Sequence, residues 1–112
     1  MSHPVPDVSV QEAADAAASD SVLLLDVRED DEWQAGHAPV AAHMPLSRLD
    51  VSAVPTDRPV IAVCRSGNRS GKAAAALAQA GVDVVNMAGG MTAWAAAGLP
   101  VVDADGRPGE IT

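Results

Sequence analysis

The seven residues from Cys64 to Ser70, which we call the cysteine loop, combine a nucleophile with groups that bind anions. Cys64 is the only cysteine of the chain. Arg65, Arg69 and Lys72 place three of the seven cationic side chains next to it, although the formal net charge is −8. An ordinary cysteine is only about 3% thiolate at pH 7, whereas cations and helix N-termini lower thiol pKa values. The loop therefore predicts a reactive thiolate that carries or attacks an anionic group.

The flanking segments indicate how the thiol is positioned. Residues 59–63 are apolar and β-branched, as in a short buried strand, and residues 71–80 are alanine-rich and end at a glycine, as in a helix. The cysteine loop thus joins a strand to a helix, where backbone N–H groups lack intrahelical partners and bind anions. Gly67 supplies the positive φ that a tight loop needs. The alternative for Cys64 is a small apolar residue at the end of a core strand.

The length of the loop distinguishes between families of cysteine enzymes. Cysteine-dependent phosphatases place five residues between the cysteine and the arginine, whereas here only residues 65–68 separate Cys64 from Arg69. The shorter loop resembles that of the rhodanese family of sulfurtransferases, whose cysteine carries a sulfane sulfur as a persulfide. The loop length opposes a phosphatase of related topology. The lack of a second cysteine opposes an arsenate reductase, which needs one to resolve its intermediate.

Two further segments are similar to signatures of the same family. Residues 25–29, with Glu32-Trp33 and Gly36-His37 after them, resemble the first signature, and residues 89–94, with residues 97–101, resemble the C-terminal one. The three signatures occur in the family's order and cover about residues 8–101. Val40 stands where the family has a glycine, and a β-branched residue does not readily adopt positive φ. The turn at residues 38–44 is therefore expected to differ.

The resemblance implies an α/β fold with a single rhodanese domain over residues 1–112 and a core at about residues 8–101. Its five-stranded, mostly parallel sheet has helices on both faces, and the active loop follows the central strand. The alternation of strands and helices along the chain predicts the same architecture. Residues 102–112 are polar and rich in turn signals, which predicts a loose C-terminal tail.

The individual elements are predicted from local patterns. Ser9 and Glu12 form a capping-box pattern for a helix through residue 18, after a short strand. The remaining expected elements are a strand at residues 21–26, a helix at 29–35 with Trp33 on its buried side, a helical turn at 45–49, a strand at 82–87 and a helix at 91–97 with Trp94 in the core.

The resemblance implies a thiosulfate sulfurtransferase. Cys64 takes the outer sulfur of thiosulfate, or of a related small anionic donor, and passes it to cyanide or a thiol. The expected substrate-binding residues are the rest of the loop, Arg65, Ser66, Gly67, Asn68, Arg69 and Ser70, which offer N–H donors and guanidinium charge. The alternative for both arginines is that they face solvent or acidic neighbours. The alternative function is a non-enzymatic carrier that receives persulfide from a donor protein.

Asp26 and Arg28 are expected to have a secondary role in the site. Both follow an apolar strand, and ligands bind at the carboxyl ends of strands in parallel sheets, so Asp26, Arg28 and Cys64 are predicted to face one crevice. The alternative for Arg28 is an ion pair with Glu32, four residues further along. His37 is interpreted as a loop histidine bound to the backbone rather than as a catalytic base.

Composition limits the partners. A chain of 112 residues buries one core, and a net charge of −8 argues against nucleic acid or an anionic membrane as partner. No apolar run approaches the roughly 20 residues of a membrane span, and no signal-peptide pattern occurs. Together with the single cysteine, this predicts a cytoplasmic protein. The histidines and Cys64 lack metal-ligand spacing, so neither a metal nor another cofactor is expected.

Overall fold

A computed structural model describes residues 5–19 and 21–112, and its strands form one five-stranded sheet. The strands are β1 (Asp7–Val8), β2 (Leu23–Asp26), β3 (Ala42–His43), β4 (Val60–Val63) and β5 (Val84–Met87). The helices are α1 (Val10–Ala17), α2 (Asp30–Ala35), α3 (Asn68–Gln79) and α4 (Gly90–Ala96), with short 3₁₀ turns at Leu46–Arg48 and Val51–Ala53. The strand order is β1-β5-β4-β2-β3, and every neighbouring pair is parallel. The predicted fold class is confirmed.

Strand β4 lies at the centre of the sheet, and all four of its residues are buried. Val60 and Ala62 pack in a core layer with α3, whereas Ile61 and Val63 pack in the opposite layer with α1 and α4. Successive side chains of a strand point to opposite faces, so a strand covered on both faces needs an unbroken apolar run. Helices therefore cover both faces, as predicted, and the cysteine loop follows the central strand.

Local patterns set where the helices begin. At α1 the predicted capping box is present, because the Glu12 N–H donates to Ser9 Oγ and the Ser9 N–H donates to Glu12 Oε1, each at 3.1 Å. Helix α3 begins at Asn68, three residues before the predicted start. Gly67, in the left-handed conformation at φ 104°, is its N-cap. Residues 68–70 of the cysteine loop are therefore the first turn of α3.

The turn around Val40 keeps the backbone within the range of ordinary residues. No non-glycine residue in the described ranges has positive φ, and Val40 projects outward with 57% of its surface exposed. The Ala41 N–H donates to the Ala38 carbonyl at 3.1 Å, after which β3 pairs with β2. The loss of the family's glycine therefore leaves the following strand in place.

The C-terminal segment is not loose, and that prediction is wrong. Val102 forms isolated bridges with His37 and with Pro108, and the Glu110 N–H donates to the Ala35 carbonyl at 3.0 Å. Ile111 packs against the core layer that contains α1 and α4. Backbone hydrogen bonds, which side-chain composition does not reveal, hold the segment against α2. In the described part of the chain, no helix has the length and apolarity to cross a bilayer.

Candidate active site

Cys64 directly follows β4 and lies beneath its loop, with only 1% of its surface exposed. Its Sγ accepts a hydrogen bond from the Gly67 N–H at 3.0 Å. The hydroxyl of Ser70, in the first turn of α3, lies 3.3 Å from the same sulfur. The cysteine loop thus brings a backbone donor and a side-chain donor to the thiol.

These donors shift the acidity of the thiol. Burial acts to raise the pKa of Cys64, but the Ser70 hydroxyl and the backbone N–H groups of Ser70, Gly67 and Ser66 together outweigh it. The pKa of the thiol is therefore lowered from its ordinary value. The predicted direction is correct, and of the two predicted causes the hydrogen-bond donors at the start of α3 are the main one.

Helix α4 orients the start of the cysteine loop through hydrogen bonds to its first two carbonyls. The Met91 N–H donates to the Cys64 carbonyl at 2.8 Å, and the Thr92 N–H donates to the Arg65 carbonyl at 3.0 Å. In a trans peptide the C=O and N–H point in opposite directions, so the N–H groups that follow these carbonyls point away from α4. Gly90 makes this approach possible, since a Cβ there would overlap the Cys64 carbonyl oxygen. The paired glycines of the C-terminal signature thus help to form the anion-binding side of the loop.

The two arginines of the loop differ in their surroundings. Arg69 forms a bidentate pair with Glu32 of α2, at 2.6 and 2.7 Å, so the acidic-neighbour alternative describes it. Hydrogen bonding to Arg69 lowers the pKa of Glu32, and the same contact raises the pKa of Arg69. Arg65 is exposed and forms no ion pair with any residue the structure describes. Of the two guanidinium groups, that of Arg65 is therefore the one open to an incoming anion.

Asp26 and Arg28 are fully buried, so the prediction that they line a crevice with Cys64 is wrong. The Arg28 Nη2 donates to Asp26 Oδ2 at 2.8 Å and to the Gly36 carbonyl at 2.7 Å. The alternative, an ion pair of Arg28 with Glu32, is not formed either, because the guanidinium binds Asp26. The buried pair instead fixes the end of β2 against the end of α2, which carries Glu32.

Trp33 is half-buried and stacks on two histidine rings. Its ring centroid lies 3.6 Å from that of His37 and 4.7 Å from that of His43. His37 Nδ1 donates to the Trp33 carbonyl at 2.7 Å, in agreement with the interpretation of His37 as backbone-bound. Within residues 5–19 and 21–112, no three His, Cys, Asp or Glu side chains are grouped so as to hold a metal ion.

Asn86 of β5 contacts the loop but is not among the residues that the sequence predicts for the site. Asn86 Oδ1 accepts a hydrogen bond from the Ser70 hydroxyl. Its Nδ2 donates to Asp7 Oδ1 at 3.1 Å and to the Gly67 carbonyl at 3.3 Å. The signal was available, since a polar residue interrupts an apolar strand that precedes the Gly89-Gly90 pair. What the sequence lacked was the strand order, which places β5 beside β4.

Known proteins share this fold and sequence. The profile of the Rhodanese-like domain matches residues 9–97. A sulfurtransferase of Allochromatium vinosum is 42% identical over 93 residues, which cover 80% of this chain and 87% of that protein. An uncharacterized protein of Synechocystis is 41% identical over 92 residues, again 80% of this chain but 51% of that protein, so the chain spans about half of that relative's length.

A solved structure has the same architecture. The crystal structure of a rhodanese-related protein from Thermoplasma volcanium superposes with a TM-score of 0.80 at 28% identity, covering 87% of this chain and 97% of that one. The family profile spans most of the chain and includes both the cysteine loop and the start of α4. The resemblance identified from the three sequence signatures is confirmed, and this chain belongs to the rhodanese-like domain family.

Proposed function

We propose that this chain is a sulfurtransferase that moves a sulfane sulfur from thiosulfate, or a related small anionic donor, to cyanide or a thiol. The observation that carries the proposal is the Cys64 sulfur held 3.0 Å from the Gly67 N–H in a loop of the rhodanese length. Hydrogen-bond donors around a sulfur stabilise the anionic form, which is both the nucleophile and the form of a bound persulfide.

The reaction proceeds in two transfers at the same atom. The Cys64 thiolate attacks the outer sulfur of thiosulfate, the S–S bond of the donor breaks, and its electron pair leaves with sulfite. The product is a Cys64 persulfide anion. An acceptor thiolate or cyanide then attacks the terminal sulfur, and Cys64 leaves as the thiolate. No second cysteine exists in the chain to displace the sulfur, so the acceptor comes from outside.

The burial of Cys64 supports a small donor. Only 1% of the residue is exposed, while Arg65, Ser66 and Asn68 at the outside of the loop are exposed. A compact dianion reaches a sulfur this deeply buried more readily than a bulky thiol compound does. Its charge is attracted by Arg65, which stands out against the acidic protein around it.

A persulfide intermediate gives the direct test. After incubation with thiosulfate alone, intact-protein mass spectrometry is expected to show the gain of one sulfur atom, which cyanide or excess dithiothreitol removes. Because the two half-reactions are separate, double-reciprocal plots at several acceptor concentrations are expected to be parallel. Intersecting lines without a mass gain would contradict the proposed mechanism.

Intact-protein mass spectrometry also distinguishes the proposed enzyme from the non-enzymatic carrier. A mass gain from a persulfidated donor protein, but not from thiosulfate, would assign the domain to a protein relay without thiosulfate turnover. A reducing cytoplasm, expected from the single cysteine, supplies thiol acceptors in either case.

The two loop arginines give a matched pair of variants. Arg65→Ala is expected to raise the KM for thiosulfate about fivefold, because an exposed charge contact is worth up to about 1 kcal/mol. Arg69→Ala combined with Glu32→Gln removes the ion pair as a whole and is expected to raise it less than about twofold, because the pair has no net charge. The measurement is steady-state kinetics with thiosulfate varied at saturating cyanide. A larger effect of this double variant would mean that Arg69 leaves Glu32 to bind the donor.

A further inference from the structure

The Ser70 hydroxyl has one hydrogen and faces more than one acceptor. Its Oγ lies 3.3 Å from Cys64 Sγ and 2.5 Å from Asn86 Oδ1, with the Gly67 carbonyl also at 3.3 Å. A hydroxyl donates one hydrogen bond. When the Ser70 hydroxyl donates its hydrogen to Asn86 Oδ1, it therefore does not donate that hydrogen to the Cys64 sulfur.

The amide of Asn86 is fixed with its oxygen toward Ser70. On its other side lie Asp7 Oδ1 at 3.1 Å and the Gly67 carbonyl at 3.3 Å. A carboxylate and a carbonyl only accept hydrogen bonds, so Nδ2 belongs there. Asn86 is 8% exposed, and rotation of its amide would place oxygen against two acceptors. Oδ1 is thus a permanent acceptor at the Ser70 hydroxyl.

We propose that Asn86 is a positioning residue that limits how strongly Ser70 stabilises the Cys64 thiolate, by competing with the sulfur for the Ser70 hydrogen. The inference rests on the proposed role of Cys64 as the nucleophile. Cys64 Sγ is the nucleophile in the first transfer and the leaving group in the second. A thiolate that is stabilised too strongly attacks more slowly. By limiting the stabilisation of the thiolate, Asn86 therefore affects both roles of the sulfur.

Charged groups surround the loop, and one of them, Asp7, holds the Asn86 amide in its orientation. The others are Arg65 in the loop, Lys72 on α3, the Arg69–Glu32 pair between α3 and α2, and the buried Asp26–Arg28 pair after β2. Replacing Asn86 by an apolar residue leaves each of these charges in place. Its former partners also stay hydrogen-bonded, since the Gly67 carbonyl still accepts from the Gly71 N–H and Asp7 is exposed to water.

The test compares two substitutions at one position by the rate of iodoacetamide alkylation against pH. Asn86→Leu removes the competing acceptor, so the midpoint of the curve of alkylation rate against pH is expected to fall by about half to one pH unit. Asn86→Asp combined with Asp7→Asn exchanges the carboxylate and the amide, so that an amide still faces the far oxygen of residue 86. This double variant places a stronger, charged acceptor at Ser70, so the midpoint is expected to rise by a similar amount. A purely structural effect would move both midpoints in the same direction, and that result would overturn the proposal.

A double substitution tests whether the effect passes through Ser70. Ser70→Ala removes the shared hydrogen and is expected to raise the midpoint by about one pH unit. Adding Asn86→Leu to Ser70→Ala is expected to leave the midpoint unchanged, because Ser70→Ala has already removed the hydrogen for which Asn86 and the sulfur compete. A fall of the midpoint in the double variant equal to that in Asn86→Leu alone would refute the competition.

Two choices keep the outcome interpretable. If Asn86→Leu fails to fold, Asn86→Val removes the same acceptor with a side chain suited to a strand, and the same downward shift is expected. Alkylation needs no sulfur donor, so absence of persulfide formation would refute the proposed function without changing these midpoints. Conversely, normal sulfur transfer with midpoints unmoved by either Asn86 substitution would refute only the role of Asn86.

Discussion

Replacement of Cys64 with alanine is expected to abolish sulfur transfer while leaving the fold intact. The nucleophile is lost, and no other thiol in the chain can replace it. The structural cost is small, because the residue loses one sulfur atom at the end of β4 and the Ser70 hydroxyl keeps Asn86 as its acceptor. A thiosulfate:cyanide assay is expected to show less than about 1% of the wild-type rate, with a melting temperature within a few degrees.

Cys64→Ser is the matched control for this prediction. It keeps a small polar group within reach of the Gly67 N–H, but a serine hydroxyl does not ionise near neutral pH and carries no sulfane sulfur. Both variants are expected to be inactive and folded. Substantial activity in either one would remove Cys64 from the mechanism and with it the proposed function.

Gly90→Ala is expected to cause the largest loss of stability among single substitutions around the site. Gly90 has φ 60°, and a Cβ there would lie 2.5 Å from the carbonyl carbon and oxygen of Arg65 and overlap the Cys64 carbonyl oxygen. The atoms in the way are backbone, so they cannot rotate aside. We expect the free energy of unfolding to fall by about 3 to 5 kcal/mol, as measured by urea denaturation.

Gly98→Ala is the control at the other end of α4. Gly98 also has positive φ, at 77°, but a Cβ there would meet no atom within 4 Å. It is expected to cost about 1 to 2 kcal/mol, the penalty of the left-handed backbone alone. Equal losses for the two variants would show that the close approach of α4 to the loop is not tight.

Sequence patterns predicted the elements whose signals are local. The apolar run of β4, the glycine of the cysteine loop and the Ser9–Glu12 capping box each lie within a few residues of what they determine. The N-terminal limit of α3 lies three residues before the predicted one, because the left-handed Gly67 is not only a loop residue but also the N-cap. Ser70 is therefore already helical.

Ion pairing was predicted less well, since it depends on tertiary distance. The spacing of four residues favoured a pair between Arg28 and Glu32, as on a continuous helix. Arg28 lies before α2 begins, however, and its side chain folds back onto Asp26. The partner of Glu32 lies 37 residues further along, at Arg69, and only the packing of α2 against the cysteine loop brings the two together.

The hydrogen bonds from α4 to the carbonyls of Cys64 and Arg65 also bear on how the protein folds. Their donors lie 27 residues after their acceptors, and the sheet between them is parallel throughout, so the contacts that complete the loop are non-local. Non-local contacts form late in folding because loop-closure entropy opposes them. A nascent or partly unfolded chain therefore exposes an ordinary, weakly acidic thiol, and the loop that carries the donors to Cys64 is held in place from both sides only when the last helix has docked. Reactivity of the thiol at a pH where an ordinary cysteine is unreactive accordingly accompanies the completion of folding in this protein.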